Sequence, residues 1–349
     1  MKPALFLAAL LLTKLVIAQD DARFSSGVIT VYHHVATDTP PSTSISPQDF
    51  RAHLNYLQEN DFNVMSLTDM VEVLREGQEV PDKSLAITFD DGYISIYETA
   101  FPMLQEFGMP FTLFVSTEPV NNRQPGYMTW AEIREMSDAG VTIANHMVTH
   151  PHMLERAARE SREQWLARLE AELLAAEATI TEETGQSHRY LAYPYGEYDP
   201  AIKALLREQD FTGFAQNSGA LGWHSDFLEL PRYPLASIYA NLETARTKME
   251  SLAFNVTQLE PASPVTTDAS PRVTLQFDTN RFDIGHLNCF ANSQPITMTW
   301  EDRSAGIVTL EPQMEFNTRR WRYICTARAN NSSRYFWHSV QWINTSFPE

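Results

Sequence analysis

From Gly27 to about Ala253, short apolar, β-branched runs alternate with longer stretches whose apolar residues recur at helical spacing, the pattern of a parallel α/β sheet or barrel. The runs predict strands at Val28–Tyr32, Leu85–Phe89, Phe111–Val115, Val141–Ala144, Tyr190–Tyr193, Gly213–Gln216 and Leu230–Leu235. A helix is expected from Ser46-Pro47, carrying Phe50, Leu54 and Leu57 on one face. The longest should run from about Glu155 to Thr184, with Trp165, Leu169, Leu173 and Ile180 inward and Gly185 as its stop. Near Asn255 the pattern breaks into a Pro/Ser/Thr-rich stretch, Glu260 to Asp268, so a first domain is placed at 24–253 and a linker at 254–270. Beyond it, Val273–Phe277, Leu287–Phe290, Ile296–Trp300, Ile307–Leu310, Arg322–Thr326 and Tyr335–Trp342 read as short strands with no helix between them. Cys289, Trp300 and Cys325 follow in immunoglobulin order, and Tyr323 takes the tyrosine-corner place two residues before the second cysteine. Residues 271–349 are therefore expected to form a small all-β, immunoglobulin-like sandwich.

Length and composition change this picture only at its edges. A chain of 349 residues, 43% hydrophobic, can bury one large core and a smaller one. Residues 1–18 combine Lys2, an apolar run broken at Thr13-Lys14, and Val16-Ile17-Ala18, which reads as a signal peptide cleaved after Ala18. The run is short for a membrane span, so export without stable membrane insertion is expected, to the periplasm or the medium. Cleavage would take the formal charge from −18 to −20. Such a surface repels nucleic acid phosphates and anionic lipid headgroups, and suits a neutral or cationic glycan. In an oxidising compartment the two cysteines, Cys289 and Cys325, are expected to form a disulfide. Nothing in the pattern fixes an oligomeric state.

Four polar clusters sit directly after predicted strands: His33-His34, Asp90-Asp91-Gly92, His146 with His150, and Pro194-Tyr195-Gly196. The C-terminal strand ends of a parallel barrel share one face, so the clusters can converge. Singly each has a plain structural reading. Asp-Asp-Gly is a common turn and helix cap, histidines four apart can be ordinary surface or core groups, and Pro-Tyr-Gly occurs in many turns. The i, i+4 spacing is also that of a metal-binding pair, and Pro151 stops a helix from continuing, which places both histidines in a turn at the barrel mouth.

In order and placement these clusters resemble the polysaccharide deacetylases of carbohydrate esterase family 4, the NodB homology domain. Thr88-Phe89-Asp90-Asp91-Gly92 is similar to the family's first motif, His146-Met147-Val148-Thr149-His150-Pro151 to its second, and Tyr193-Pro194-Tyr195-Gly196 to most of its third. The resemblance covers roughly Val28 to Leu235 and implies a distorted (β/α) barrel with about seven strands. Two departures stand out. Ala192 replaces the usual arginine before the third motif, and no late Leu-x-His motif follows Leu235. Val31-Tyr32-His33-His34-Val35 resembles instead the Tyr-His motif of the subgroup that deacetylates poly-N-acetylglucosamine, in which an early histidine replaces the late one.

The resemblance implies Asp91, His146 and His150 as metal ligands and Asp90 as the base. It also implies the Tyr195 backbone N–H as an oxyanion donor and His33, or failing it His34, as the acid. Arg232 is the candidate cationic partner of the base and is grouped with Tyr193, Pro194, Trp130 and Trp223 as residues expected near the substrate, Tyr93 being a further aromatic that could stack on a sugar. Zinc is the first choice of metal, with cobalt, nickel and iron suiting the same donors. The expected reaction is removal of N-acetyl groups from an amino-sugar polysaccharide. An O-acetyl esterase, or a carbohydrate-binding protein on an inactive esterase scaffold, are the alternatives.

Overall fold

The computed structural model describes residues 26–330 and 332–348, so the expected leader at 1–18 lies outside them. Among the described residues no helix is long and apolar enough to cross a membrane. Seven parallel strands form the first unit: β1 Gly27–Tyr32, β2 Ser84–Phe89, β3 Phe111–Val115, β4 Thr142–Asn145, β5 Tyr190–Ala192, β6 Thr212–Phe214 and β7 Tyr233–Pro234. Their order in the sheet is β7-β1-β2-β3-β4-β5-β6, with a short eighth strand, Asn63–Val64, beside β2. β1 and β2 are buried along their whole length, which explains why they appear in the sequence as continuous apolar runs rather than alternating ones.

The ends of the sheet are brought together by one segment. Leu230 bridges Phe214 on β6, and three residues later Tyr233 pairs with Thr30 on β1. Residues 230–234 therefore close the barrel, and Arg232 lies in the closing segment.

Helices cover the outside where the periodicity places them. Pro47–Glu59 is capped by Ser46, whose hydroxyl accepts from Asp49 N–H, and buries Phe50, His53, Leu54 and Leu57. The longest helix begins at Arg162, seven residues later than expected, because Ser161 and Gln164 form a capping box there; it ends at Thr184 with Gly185 left-handed.

The C-terminal region holds two sheets. Val256–Glu260, Val273–Phe277, Ile307–Glu311 and Thr297–Asp302 make an antiparallel sheet of four. Leu252–Ala253, Tyr335–Ile343, Arg320–Arg328, Asn288–Ala291 and Gln294–Pro295 make the other, antiparallel except for the first pair. Both feed one core, with Leu275, Phe277 and Leu310 from the first and Tyr323, Phe336 and Trp342 from the second.

Four readings need correction. Val256–Glu260, assigned to the linker, is an edge strand paired with Val273–Phe277, hidden by the Pro/Ser/Thr composition that follows it. Cys289 and Cys325 are disulfide-bonded, yet they face each other across adjacent strands of one sheet, whereas the immunoglobulin order implies a bridge between sheets. Tyr323 donates to Pro271 O, 52 residues upstream, so it is no local corner. The fully buried tryptophan is Trp342, while Trp300 sits half-buried on an edge strand.

Candidate active site

Three of the four clusters are held by unusual backbone at a strand end. Asp91 follows β2 with φ +75°, Met147 and His150 follow β4 at +67° and +55°, and Tyr195 follows β5 at +57°. Left-handed backbone at non-glycine residues costs roughly 1–3 kcal/mol each and persists only where the surroundings enforce it. Asn145 is one enforcer: its buried amide donates to Leu173 O and Glu177 Oε2, and its Oδ1 accepts from Met147 N–H.

The turns bring Asp91, His146 and His150 together, one ligand atom from each lying within 4.8 Å of the others. Asp91 Oδ1 is 3.2 Å from His146 Nε2 and 3.3 Å from His150 Nε2. His146 donates its Nδ1 proton to Ala192 O at 2.7 Å, which turns Nε2 toward Asp91; burial lowers the ring's pKa, but the Asp90 charge and then Asp91 outweigh it and raise it. That Nε2 and Asp91 Oδ1 are buried without a hydrogen-bond partner. Burial, and next the His146 charge, push His150 down to about 4, so it presents a neutral nitrogen. One carboxylate oxygen and two imidazole nitrogens aimed at one point fit a divalent cation.

Asp90 is fully buried beside this group and does not join it. Arg232, equally buried, grips it with two bonds of 2.7 Å, NH1 to Oδ1 and NH2 to Oδ2, while its Nε donates to Ala215 O. Burial alone would raise the Asp90 carboxyl, but the charge of Arg232, then that of His146, hold it below the ordinary range. Arg232 is thus the cationic partner of Asp90, and no substrate can touch it. Ala192, where an arginine was expected, contributes its carbonyl instead.

His33 is half-buried at the end of β1 and acts electrostatically on Asp90, Asp91 and His150. Its neighbour His34 is packed away, stacked on Tyr93 at 3.7 Å. Tyr93 also contacts Tyr127, so one of its faces is already taken.

The remaining expectations separate. Tyr195 is half-buried at the mouth, its ring edge-on to His150 at 4.5 Å. Tyr193 is fully buried, its hydroxyl donating to Leu228 O, and Pro194 is buried beside it, so both shape the turn rather than meet substrate. Trp130 starts a helix and donates to Asn121 Oδ1. Trp223 is 52% exposed, but Leu221 pairs with Gly27 at the opposite end of β1, which carries Trp223 away from the metal-binding face.

Sequence reasoning missed the set that clamps Tyr195. His152 stacks on its ring at 3.9 Å, and the Arg320 guanidinium lies 5.4 Å from the ring centre. Both pair with Glu197, which also receives two bonds from Arg319. Arg319 and Arg320 belong to the C-terminal unit. No local motif signals a contact across more than 120 residues.

A parallel barrel whose strand ends gather Asp91, His146 and His150 beside a buried, ionised Asp90 has the donor set of a hydrolytic metal site. Residues 77–214 match the family described as polysaccharide deacetylase. The matched residues include Asp90, Asp91, His146 and His150. Among curated proteins, poly-β-1,6-N-acetyl-D-glucosamine N-deacetylase of Staphylococcus epidermidis is 25% identical over 54% of this chain and 67% of that one. A Bacillus subtilis protein named as a polysaccharide deacetylase is 24% identical over 53% of this chain and 61% of its own length. The matched stretch thus spans about two thirds of these relatives. Among solved structures, IcaB from Ammonifex degensii superposes with a TM-score of 0.58 at 23% identity, covering 66% of this chain and 99% of that one. The Streptococcus pyogenes deacetylase PplD, in complex with acetate, gives 0.58 at 20% identity, over 65% and 99%.

Proposed function

We propose that the chain is an exported, metal-dependent deacetylase that hydrolyses N-acetyl groups of an amino-sugar polysaccharide, poly-N-acetylglucosamine or a chitin-like polymer, and releases acetate. The observation that carries this reading is the convergence of Asp91, His146 and His150 beside an Asp90 kept ionised by Arg232. Zinc is the first ion assigned to the triad, and cobalt, nickel or iron suit the same donors. A divalent ion held there supplies Lewis acidity, which lowers the pKa of a water and polarises the acetamido carbonyl.

The chain's own groups do the rest. Asp90 stays charged inside the barrel and takes the proton of the attacking water. The Tyr195 backbone N–H donates to the carbonyl oxygen as charge develops there, a contribution of about 3 kcal/mol for one such donor. His33, close to both aspartates, delivers a proton to the leaving nitrogen. The Cys289–Cys325 bridge supports export, since disulfides persist in oxidising compartments. The strongly acidic chain suits a glycan that gains amines as it loses acetyl groups.

The test is acetate release by the zinc-loaded chain from N-acetylglucosamine oligomers and from acetylated xylan. Release from the oligomers is expected. Release from xylan alone would make the protein an O-acetyl esterase, and release from neither would leave a carbohydrate-binding protein on an inactive scaffold.

A further inference from the structure

A cleft of about 460 Å³ runs between the barrel mouth and the C-terminal unit, a size that accepts a sugar residue. One wall is Tyr195, whose ring also faces His150, so the cleft adjoins the metal-binding triad. At its lip the segment after β7 exposes Ile238 (71%) and Tyr239 (52%), unusual for large apolar side chains. The other wall is the start of Arg320–Arg328, with Arg320 and Arg322.

The charge of this cleft runs against that of the chain. Arg320 is tied to Glu197, but Arg322, among the described residues, makes no ion pair; its one hydrogen bond goes to Gln216 O at 3.4 Å. Lys248 lies behind Tyr239, its Nζ 4.3 Å from the ring centre, buried and likewise without a carboxylate among the described residues. Burial, and next the Arg322 charge, push Lys248 down to about 8, and burial pulls the Arg322 guanidinium below its ordinary value. A protein of net charge −18 has carboxylates to spare, yet none stands against these two cations. Desolvated charge without a counter-charge is costly unless a ligand brings one.

We propose that this cleft is a glycan subsite for a carboxylate-bearing sugar next to the residue being deacetylated. Arg322 holds the acid, Tyr239 packs against the ring, and Lys248, behind that ring, adds to the positive field of the cleft. The subsite rests on the deacetylase reading for its role and on the cleft alone for its binding chemistry, and it narrows the amino-sugar polymer to one in which acidic sugars are interspersed, which plain poly-N-acetylglucosamine and chitin are not. It favours an acidic neighbour and disfavours a sugar already bearing a free ammonium group, so it makes the C-terminal unit a selector of where on a polymer the enzyme acts.

The test compares three oligosaccharides on the full, zinc-loaded chain: a tetramer alternating N-acetylglucosamine and glucuronic acid, the same tetramer as its uronate methyl ester, and a neutral N-acetylglucosamine tetramer. Binding is read by calorimetry and acetate release separately. The acid tetramer should bind about tenfold or more tightly than its ester, the scale of a charge-assisted contact. Arg322→Gln should bring the acid-to-ester ratio toward one, and Lys248→Met, on the helix Leu242–Met249, should lower it in the same direction by less. Equal binding of acid and ester by the unaltered chain, or no binding of the acid, overturns the subsite. A ratio that survives in Arg322→Gln overturns the residue assigned to it. Discrimination in binding with no acetate from any oligomer keeps the subsite and removes the deacetylase reading, so the two fail separately.

Discussion

Glu197→Gln removes the charge that ties the C-terminal unit to the Tyr195 turn while keeping the side chain's shape. The Glu197 side chain is fully buried and Arg319 is 5% exposed, so screening by water is slight. Three guanidinium bonds and one from His152 converge on the carboxylate. Breaking a buried pair by removing one partner costs about 3–5 kcal/mol. Arg319 keeps Glu155 and Phe347 O as partners, so the lower end, about 3 kcal/mol, is expected in urea unfolding. Tyr195 should loosen as well, because His152 and Arg320 flank its ring and both lean on Glu197. A loss of about 1.4 kcal/mol in transition-state positioning is a tenfold fall in kcat. Metal content should not change, since no ligand touches Glu197. Burial raises the Glu197 carboxyl, but the Arg319 hydrogen bonds and charge, with His152, outweigh it and hold it below the ordinary range. A depressed carboxyl stabilises above its unfolded pKa of about 4.3 and loses that contribution as pH falls through the folded value, so parent and variant stabilities should converge below about pH 4. A stability loss under 1 kcal/mol, or a full loss with unchanged kcat, would refute the clamp.

Other outcomes follow from the centre itself. His146→Ala and His150→Ala should each lose bound metal by elemental analysis and with it acetate release, because two protein ligands rarely hold a catalytic ion. Asp90→Asn should keep metal and fold but lose about 10²–10⁴ in kcat, the usual worth of a general base; turnover within tenfold of the parent would assign the base elsewhere. His33→Ala should damage hydrolysis of a chitin oligomer far more than that of nitrophenyl acetate, whose leaving group needs no proton. Equal losses would give His33 a structural role, and a selective loss in His34→Ala would move the acid by one residue.

What could be read from the chain follows the range over which its signals act. The barrel strands were legible because strands buried on both faces leave unbroken apolar runs, and Asp90, Asp91, His146 and His150 because a strand-end turn keeps its chemistry within a few residues. Tyr193 and Trp223 misled for the same reason: an aromatic beside a motif shows neither which side of the strand it takes nor which end of the barrel its loop visits. Tyr193 points inward to Leu228, and Trp223 follows a bridge to the start of β1. The edge strand Val256–Glu260 was lost to the composition of the turn after it.

The replacement for the missing arginine shows the limit more sharply. An arginine two residues before the third-motif proline would have to reach Asp90 from β5, but in this chain β5 carries Ala192, whose carbonyl anchors His146. Arg232 arrives from the opposite direction, on the segment that bridges β6 to β1, and meets Asp90 across 142 residues of sequence. The same closure therefore completes the barrel and keeps its buried carboxylate ionised. Loss of Arg232 would leave Asp90 charged and unpartnered in the core, or protonated and unable to take a proton, so barrel closure and the ionisation of Asp90 are one requirement on this residue.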